Sequence, residues 1–417
     1  MIQTKKIETP AKLKKALGPI MLWGLGVGYV ISGMYFGWNL GLPEGGSLGL
    51  AIATFFIIIL YVTFTFSYTE LACAIPKAGG VFDYASRAMG RRLGFIAGMA
   101  QIIEFVFAPP AIAAAIGAYF HIFFSQVPVN IIAITAYLLF TALNIYGIKA
   151  AAIFELVITV FAVFELLLFC GITFPHFHWS NITHNAFPNG WKGAWAATPF
   201  AIWFFLGLEG VANVAEETVN PQRNVLLGFG SALFTLIALC ALVFLASIGV
   251  GGWEKVVYAV PGADASDSPL PLALAQITGN TGWLYHLLIT IGLMGLIASF
   301  HGLILAASRA TYEFGYAGCI PTIIGKIHPK FNTRKCITAE YVYWHYCLTN
   351  RQNRRCYYHC MLWCNCVIYF WNDQCIASKK KRTAAPPPFP YTFLPGLSID
   401  RIGDCPVFFS SNDLFEY

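Results

Sequence analysis

Residues 203–213 read WFFLGLEGVAN, and this stretch decides the fold because it places glycines and a carboxylate inside a long apolar run. A similar interruption, GLGVGYVISGMYFG, occupies residues 24–37 of the first apolar run. Backbone leaves the helix at membrane depth only where it is buried in protein or lines a cavity. Two such interruptions predict two structurally repeated halves with a binding site between them. Close helix packing through small residues is the other explanation, and for Gly24 and Gly28 both stay open.

The composition excludes a set of soluble domains. Hydrophobic residues make up 57% of the 417-residue chain and charged residues 11%, whereas soluble domains carry about a quarter charged residues. We predict about eight membrane-spanning helices, because the apolar runs are long enough to cross a ~30 Å hydrocarbon core. The runs lie at 18–42, 48–75, 93–124, 129–148, 150–174, 195–214, 225–250 and 283–312. The chain is therefore divided into a leading segment (1–17), a membrane domain (18–335) and a tail (336–417).

Positive charge indicates the orientation of the chain. Lys and Arg collect before the first run and in alternate loops, and they concentrate in loops that remain in the cytoplasm. We therefore expect a cytoplasmic N-terminus in the inner, or cell, membrane. The basic leader precedes a run too long for a cleavable signal peptide. The residues concerned are Lys5, Lys6, Lys12, Lys14, Lys15, Lys77, Arg87, Arg91, Arg92, Lys149, Arg223, Lys326, Lys330 and Arg334.

Ionisable side chains within the runs are the strongest indication of function, because a charge at the bilayer centre costs at least ~2.5–3.5 kcal/mol. Glu70 and Arg309 lie near cytoplasmic ends, where a structural pair or snorkelling explains them. Glu155 and Glu165 share the fifth run and have no partner that the sequence reveals. Their roles stay open.

Glu209 and Glu104 are the acids that we assign to function. Glu209 directly follows Gly207 and Leu208, where unwound carbonyls attract a cation, and a carboxyl there can load and release a proton during transport. Glu104 precedes the pair Pro109–Pro110, which must kink the third run. It is either a second acidic partner for an amine or a hydrogen-bonded structural residue.

Several other classes of function find little support. The glycines at 24, 26 and 28 follow no strand and lack phosphate-loop spacing, and no Walker motif or nucleophile elbow occurs before residue 335. We therefore expect no cofactor, no nucleic acid partner and no enzyme activity. Two other classes of protein are the alternatives to a transporter: a membrane-embedded enzyme and a transporter-like sensor. We interpret His176, His178 and His184 as solvated loop residues, with a metal site as the alternative.

Three groups of motifs resemble the amino acid–polyamine–organocation permeases, over residues 18–335. They are VISGMYF at 30–36, PKAGG at 76–80, and GLEGVANVAEETVNPQRN at 207–224. The stretches ASFHG at 298–302 and ASRATY at 307–312, followed by Ile320-Pro321, resemble the eighth span of that family. GMYFGWN at 33–39 and QIIEFVFAPP at 101–110 resemble the ethanolamine permeases in particular.

The resemblance implies an all-α membrane protein with a twelve-span, inverted-repeat fold, of which about eight spans are present. It implies a secondary transporter for ethanolamine, another small amine or an amino acid, coupled to H⁺ or Na⁺. The implied contacts are backbone N–H groups at Ser32, Gly33 and Met34, an aromatic gate at Trp203, and proton coupling at Glu209. Glu104, Phe204, Gly207 and Leu208 complete the expected substrate site. Ethanolamine lacks a carboxylate, so its recognition should depend on the ammonium end.

The tail at 336–417 departs from this pattern, because it holds no apolar run of membrane length. One interpretation is a metal module built from its Cys and His residues, although their spacings match no common zinc pattern. We favour a shifted reading frame. Back-translating residues 335–347 and reading one base later permits an apolar, helix-like segment, in which the codons of Trp344 and His345 force a glycine. Such a product would lack spans nine to twelve and would be inactive if they are required. The residues considered for the metal module are His345, Cys356, His359, Cys360, Cys364 and Cys366.

Overall fold

The computed structural model describes residues 15–145, 148–279 and 281–320, which are mostly helical and contain no β-strand. The α-helices of this part are α1 (Pro19–Val30), α2 (Ser32–Tyr35), α3 (Leu42–Ala74), α4 (Val81–Met89), α5 (Arg91–Phe123), α6 (Val129–Ile145), α7 (Ile148–Thr173), α8 (Trp179–Thr183), α9 (Gly190–Ile202), α10 (Gly210–Asn213), α11 (Pro221–Gly251), α12 (Trp253–Val257), α13 (Pro269–Thr278) and α14 (Trp283–Tyr316). Short 3₁₀ turns lie at Trp38–Gly41, Phe174–His176 and Ala215–Glu217.

Five helical stretches are long and apolar enough to cross a membrane. They are Trp38–Ala74, Arg91–Phe123, Lys149–His176, Pro221–Gly251 and Trp283–Tyr316. Shorter apolar helices occupy Pro19–Tyr35, Ile131–Asn144 and Pro269–Thr278. The predicted runs are thus helical, but by length and composition five of them qualify as spans.

The predicted interruptions of the first and sixth runs are confirmed, and the bounds of both runs need correction. The run predicted at 18–42 ends as an α-helix at Tyr35, because Gly37 has a φ of +92°. The run predicted at 195–214 begins at Gly190 and divides into α9 and α10, because Gly207 has a φ of +97°. Glycine adopts positive φ without the steric penalty of other residues, so each break falls where the sequence permits it.

The described helices differ in which faces they bury. Large apolar side chains are exposed along α3, α7 and α11, for example Phe56, Phe164 and Phe234, as expected of faces that meet lipid. In contrast, α14 is buried over most of its length. It packs against α1, α5 and α7. The first-span break therefore lies in the interior, beside α14.

The amphipathic helix α4 follows Gly80, whose φ is +51°. It buries Phe82 and Tyr84 and places Asp83 3.7 Å from Lys77. Burial raises the pKa of Asp83, and the charges of Lys77 and Arg87 oppose this shift. This short helix thus has an apolar face and a basic residue, a combination that suits a segment at a membrane surface.

Some sequence predictions lie outside the described residues. These are the lysines before residue 15, the basic residues after residue 320, and the whole tail at 336–417 with its cysteine and histidine cluster. The proposed change of reading frame falls in the same part of the chain. The domain boundaries at 17 and 335 stay predictions.

Candidate substrate site

The break of the first span is held by a hydroxyl group from α14. Ser299 Oγ lies 2.9 Å from the carbonyl oxygen of Gly28 and 2.7 Å from that of Tyr29. It also accepts a hydrogen bond of 3.1 Å from the N–H of Ser32. Because a hydroxyl has one hydrogen, it donates to one of the two carbonyls at a time. Ser299 therefore replaces part of the hydrogen bonding that a continuous helix would supply.

This arrangement corrects the expectation of free N–H groups in the first span. The Ser32 N–H is bound to Ser299, and the Met34 N–H donates to the carbonyl of Ile31 at 3.0 Å. Ser32 and Met34 are both buried. In this conformation neither N–H is available to a substrate, because the protein itself fills the positions that were predicted for a ligand.

In the break of the sixth span the chain turns without forming a regular α-helix. Between α9 and α10, N–H groups bond carbonyls three residues earlier, as Leu208 does to Phe205 at 3.3 Å and Gly210 does to Gly207 at 3.0 Å. Such short-range bonding leaves other carbonyls without their i+4 partners. The break thus places irregular backbone next to Glu209.

The two breaks contact each other through the main chain. A side-chain carbon at Gly33 would collide with the carbonyl oxygen of Trp203, and one at Gly37 would collide with the Trp203 ring. That ring also packs edge-on against Phe36, with 5.6 Å between centroids. Trp203 therefore lies where the breaks meet, and its role as an aromatic gate stays a prediction.

Phe204 and Leu208 were expected to contact substrate, and the structure places both in the packed core instead. Both side chains are fully buried. Phe204 stacks on Trp38 at 5.8 Å, and Leu208 lies against Gly26 of α1. Their positions follow from the turned backbone of the break, which directs these side chains toward the first span.

A cavity of about 420 Å³ lies between α3, α5 and the sixth-span break. Both functional acids predicted from sequence, Glu104 and Glu209, line it. Gln101 lies one helical turn before Glu104, and α3 contributes aromatic rings. Among the described residues that line the cavity, none is a lysine, an arginine or a histidine. The cavity is therefore acidic and aromatic, with no basic group to receive a carboxylate.

Glu104 and Glu209 form a pair. The carboxyl group of Glu104 interacts with that of Glu209 and with the backbone at Gly207. One oxygen of each, Oε1, has no hydrogen-bond partner within the described part of the chain. Two neighbouring carboxylates repel each other when both are ionised, most strongly away from bulk water. The pair is accordingly arranged to hold a proton or an organic cation.

The sequence reasoning missed the remaining polar and aromatic lining. Tyr61, Phe64 and Tyr68 come from α3, and Gln101 comes from α5. Helical spacing was the available signal: Gln101 and Glu104 are three residues apart, and the α3 rings recur at intervals of three and four, so each set shares a face.

Three other acids, Glu217, Glu165 and Glu155, are buried and have protein partners. Glu217 is bonded by two nitrogens of Arg309, at 3.2 and 3.3 Å. Glu165 accepts a hydrogen bond of 2.6 Å from Tyr35.

Glu155 lies 2.7 Å from His301, both fully buried. In this pair Glu155 Oε1 and His301 Nε2 have no hydrogen-bond partner among the described residues. The two acids whose roles the sequence left open, Glu155 and Glu165, are thus each joined to a distant span.

The loop histidines are not gathered into a site. His176, His178 and His184 are exposed. In the described ranges no group of three or more His, Cys, Asp or Glu side chains is placed to hold a metal ion. Glu70 is likewise exposed on α3.

Apolar helices of membrane length, two broken spans and an acidic cavity at one of the breaks define a multi-pass membrane transport protein. Residues 17–370 match the family described as amino acid permease, and the chain belongs to that family. The match continues past residue 335, where the motif resemblance ends. The family and the relatives are transporters and not enzymes.

The relatives differ in what their names say they transport. The chain is 29% identical over 336 residues to an uncharacterized transporter of Rhizobium meliloti, covering 77% of this chain and 70% of the relative. It is 26% identical over 357 residues to the methylthioribose transporter of Bacillus subtilis, with 80% and 74% covered. It is 24% identical over 352 residues to the low-affinity putrescine importer of Escherichia coli, with 79% and 72% covered.

Among solved structures, the chain is similar to the manganese transporter of Eremococcus coleocola, with a TM-score of 0.47 and 14% identity. The similarity covers 83% of this chain and 75% of that one.

Proposed function

We propose that the protein is a secondary transporter that imports a small amine, with ethanolamine as the leading candidate, across the cell membrane. The observation that carries this proposal is the pair Glu104 and Glu209, which lines a cavity of about 420 Å³. One oxygen of each residue has no hydrogen-bond partner among the described residues. An ammonium group offers the positive charge and the hydrogen-bond donors that these oxygens lack.

Two acids allow two cations to be carried together. In this proposal Glu104 binds the substrate ammonium and Glu209, at the sixth-span break, holds the coupling proton. Glu209 is the better proton carrier because it belongs to the backbone segment that must move when the break changes shape. Na⁺ is the alternative coupling ion, since carboxylate and carbonyl oxygens also suit a hard cation.

An amino acid is the alternative substrate. The relatives include a methylthioribose transporter and a putrescine importer, so the named substrates of the family vary. Another relative is named as a branched-chain amino acid permease, and this is the reason to consider an amino acid here. A zwitterion would need a partner for its carboxylate, and two of the three predicted partners, the first-span N–H groups of Ser32 and Met34, are already bonded within the protein. The geometry therefore favours an amine.

The proposal also includes the orientation of the chain in the membrane and the origin of its tail. The lysines and arginines support a cytoplasmic N-terminus, because these residues concentrate on that side. We also propose that the tail at 336–417 results from a shifted reading frame, and that the chain is inactive in transport where the missing spans are required. Sequencing the gene tests this: a codon phase with no helix-like alternative frame excludes the shift.

Transport is tested with labelled ethanolamine and labelled amino acids in vesicles, for the 417-residue chain and for a version with the restored frame. We expect ethanolamine uptake by the restored chain, and uptake of neither substrate would contradict the proposal. We expect Glu209→Gln in the restored chain to abolish the pH dependence of uptake, because the amide holds no exchangeable coupling proton. Unchanged pH dependence would remove the coupling role from Glu209.

A further inference from the structure

The pair Glu155 and His301 joins α7 to α14 in a part of the bundle that the assignment of Glu104 and Glu209 does not use. Glu155 Oε2 lies 2.7 Å from His301 Nδ1, and both side chains are fully buried. A carboxyl group and an imidazole at this distance share a hydrogen bond, and either of them can hold the proton. The two side chains therefore titrate as one unit, and the charge of that unit decides what it can do.

Two glycines make room for the Glu155 carboxyl group beside the first span. A side-chain carbon at Gly28 of α1 would collide with Glu155 Oε1, and one at Gly302 of α14 would lie 2.9 Å from the same oxygen. One helical turn after Glu155, the hydroxyl of Thr159 donates to the carbonyl of Gly24 at 3.2 Å. The carboxyl group thus lies in a notch between two helices, directly against the last turn of α1.

The charged neighbours of this pair offset each other. The hydroxyl of Tyr29, on α1, interacts electrostatically with Glu155. It interacts in the same way with Arg309 and Glu217. Because Arg309 and Glu217 bond each other at 3.2 and 3.3 Å, their opposite charges supply little field to the pair.

The groups of α6 and α7 that pack on the imidazole are neutral. They are the rings of Phe140 and Phe154, with centroids 6.2 and 5.1 Å from that of His301, and the amide of Asn144, which donates to the His301 carbonyl at 3.2 Å. The net charge of this region is therefore that of the pair itself. A buried net charge is costly in a membrane, and one proton added to a carboxylate and a neutral imidazole removes it. The described conformation thus favours a pair that holds one proton.

The position of the pair at the end of α1 gives this proton an effect on the first-span break. The carbonyls of Gly28 and Tyr29 are held there by Ser299, two residues before His301 on α14. Carbonyl groups at the C-terminal end of a helix carry a partial negative charge. Release of the proton to water would leave a carboxylate and a neutral imidazole, with one net negative charge, against this end. Repulsion would then oppose the packing of α1 on α7 and α14.

We infer that Glu155 and His301 form a proton-binding site that controls the first-span break. The pair stabilises the described conformation of the break while it holds one proton, and release of that proton loosens the break. This proton is separate from the one that we propose on Glu209. The inference goes beyond the proposed function, and it does not depend on the identity of the substrate.

Hydrogen–deuterium exchange of main-chain amides tests this inference in the purified 417-residue chain, in detergent and without a substrate. The readout is the exchange of the amides from Tyr29 to Ser32. The wild-type chain is compared with Glu155→Gln at each pH from about 6 to about 9, so that the intrinsic pH dependence of exchange cancels. The introduced amide can still hydrogen-bond to His301, and it has no proton to release in this range.

Two matched controls also replace a glutamate by glutamine. Glu165→Gln changes the other buried acid of α7, which bonds Tyr35 of the same span. Glu70→Gln changes an exposed acid of α3. Both variants keep the pair of Glu155 and His301 intact.

We expect the exchange of these amides in the wild-type chain, relative to Glu155→Gln, to rise with pH by up to about tenfold per pH unit, which is the effect of one released proton. Glu165→Gln and Glu70→Gln should show the same rise as the wild-type chain. A wild-type chain without the rise would overturn the inference, and so would its loss in either control.

The result can be read even if Glu155→Gln does not fold. In that case the amides in the middle of α11 serve as the reference within the wild-type chain and within Glu165→Gln. Exchange from Tyr29 to Ser32 that does not rise relative to this reference overturns the inference. Because none of these measurements uses an amine, the proposed transporter stands if the inference is overturned, and the inference stands if the chain binds no amine.

Discussion

Five acids inside the described part of the protein fall into two kinds, and the two kinds differ in which groups they contact. Glu217, Glu165 and Glu155 are held by side chains from other spans, and none of the three lines the large cavity. Glu104 and Glu209 interact with each other, and both line the large cavity. An oxygen without a partner among the described residues does not separate the two kinds, because Glu155 has one as well. Since the bilayer makes every buried charge expensive, the first kind is explained by the fold, and the second kind is the one that we propose binds the transported cations.

The largest expected effect is the loss of stability when an acid of the first kind loses its partner. Arg309→Met removes both nitrogens that bond Glu217 and leaves a buried carboxylate without its charge partner, so the free energy of unfolding should fall by ~3–5 kcal/mol. Denaturant unfolding in detergent measures this.

The double variant Arg309→Met, Glu217→Gln is the control for the Arg309 prediction. It should lose less stability than Arg309→Met alone, because no charge is left buried. An equal loss in the two would mean that the packing of Arg309, and not its charge, is what matters.

For an acid of the second kind, we expect a smaller change in stability, and of the opposite sign. Glu104→Gln removes the repulsion with Glu209, so stability should stay equal or rise. Amine affinity should fall about 30-fold, because a charged hydrogen bond contributes ~2 kcal/mol. Calorimetric titration and thermal unfolding of the same sample measure both quantities.

Glu165→Gln is the matched comparison, since Glu165 is buried and bonded to Tyr35. It should leave amine affinity unchanged. Equal loss of affinity in Glu104→Gln and Glu165→Gln would remove the distinction between the two kinds of acid.

The smallest expected change in stability is for a substitution at the protein surface. Lys77 is 45% exposed beside Asp83, so Lys77→Met should lower stability by less than ~1 kcal/mol. The pKa of Asp83 is already raised by burial, and loss of Lys77 raises it further. The stability linked to protonated Asp83 is complete below its unfolded pKa and is lost as pH rises through the folded one. The destabilisation should therefore be greater at neutral than at acidic pH, and a pH-independent loss would exclude Asp83 as its source.

The sequence predicted both breaks and singled out Glu104 and Glu209 because each is a local violation of an apolar run. Glu209 stands out beside Gly207 for this reason, and Glu104 stands out before two prolines. Partners joined across the bundle are not local: Glu155 and His301 are 146 residues apart, and Glu165 and Tyr35 are 130 apart. No periodicity in a single run specifies which distant span will face it.

The aromatic wall of α3 was missed for a related reason. On an apolar membrane helix, a ring that faces lipid and a ring that faces a cavity have the same appearance in sequence. Phe56 is exposed, whereas Tyr61 and Tyr68 are buried on the same helix. Phe204 and Leu208 show the converse error, because a break changes the direction of side chains in a way that motif resemblance does not reveal.

The contact between Gly33 and the carbonyl of Trp203 has a mechanical consequence. No side chain lies between the two backbones there, so no rotamer change is available to absorb a displacement of one against the other. Movement of the sixth-span break toward the first must be transmitted directly to it. The two interruptions are therefore in direct backbone contact, and this contact resists movement of either one toward the other.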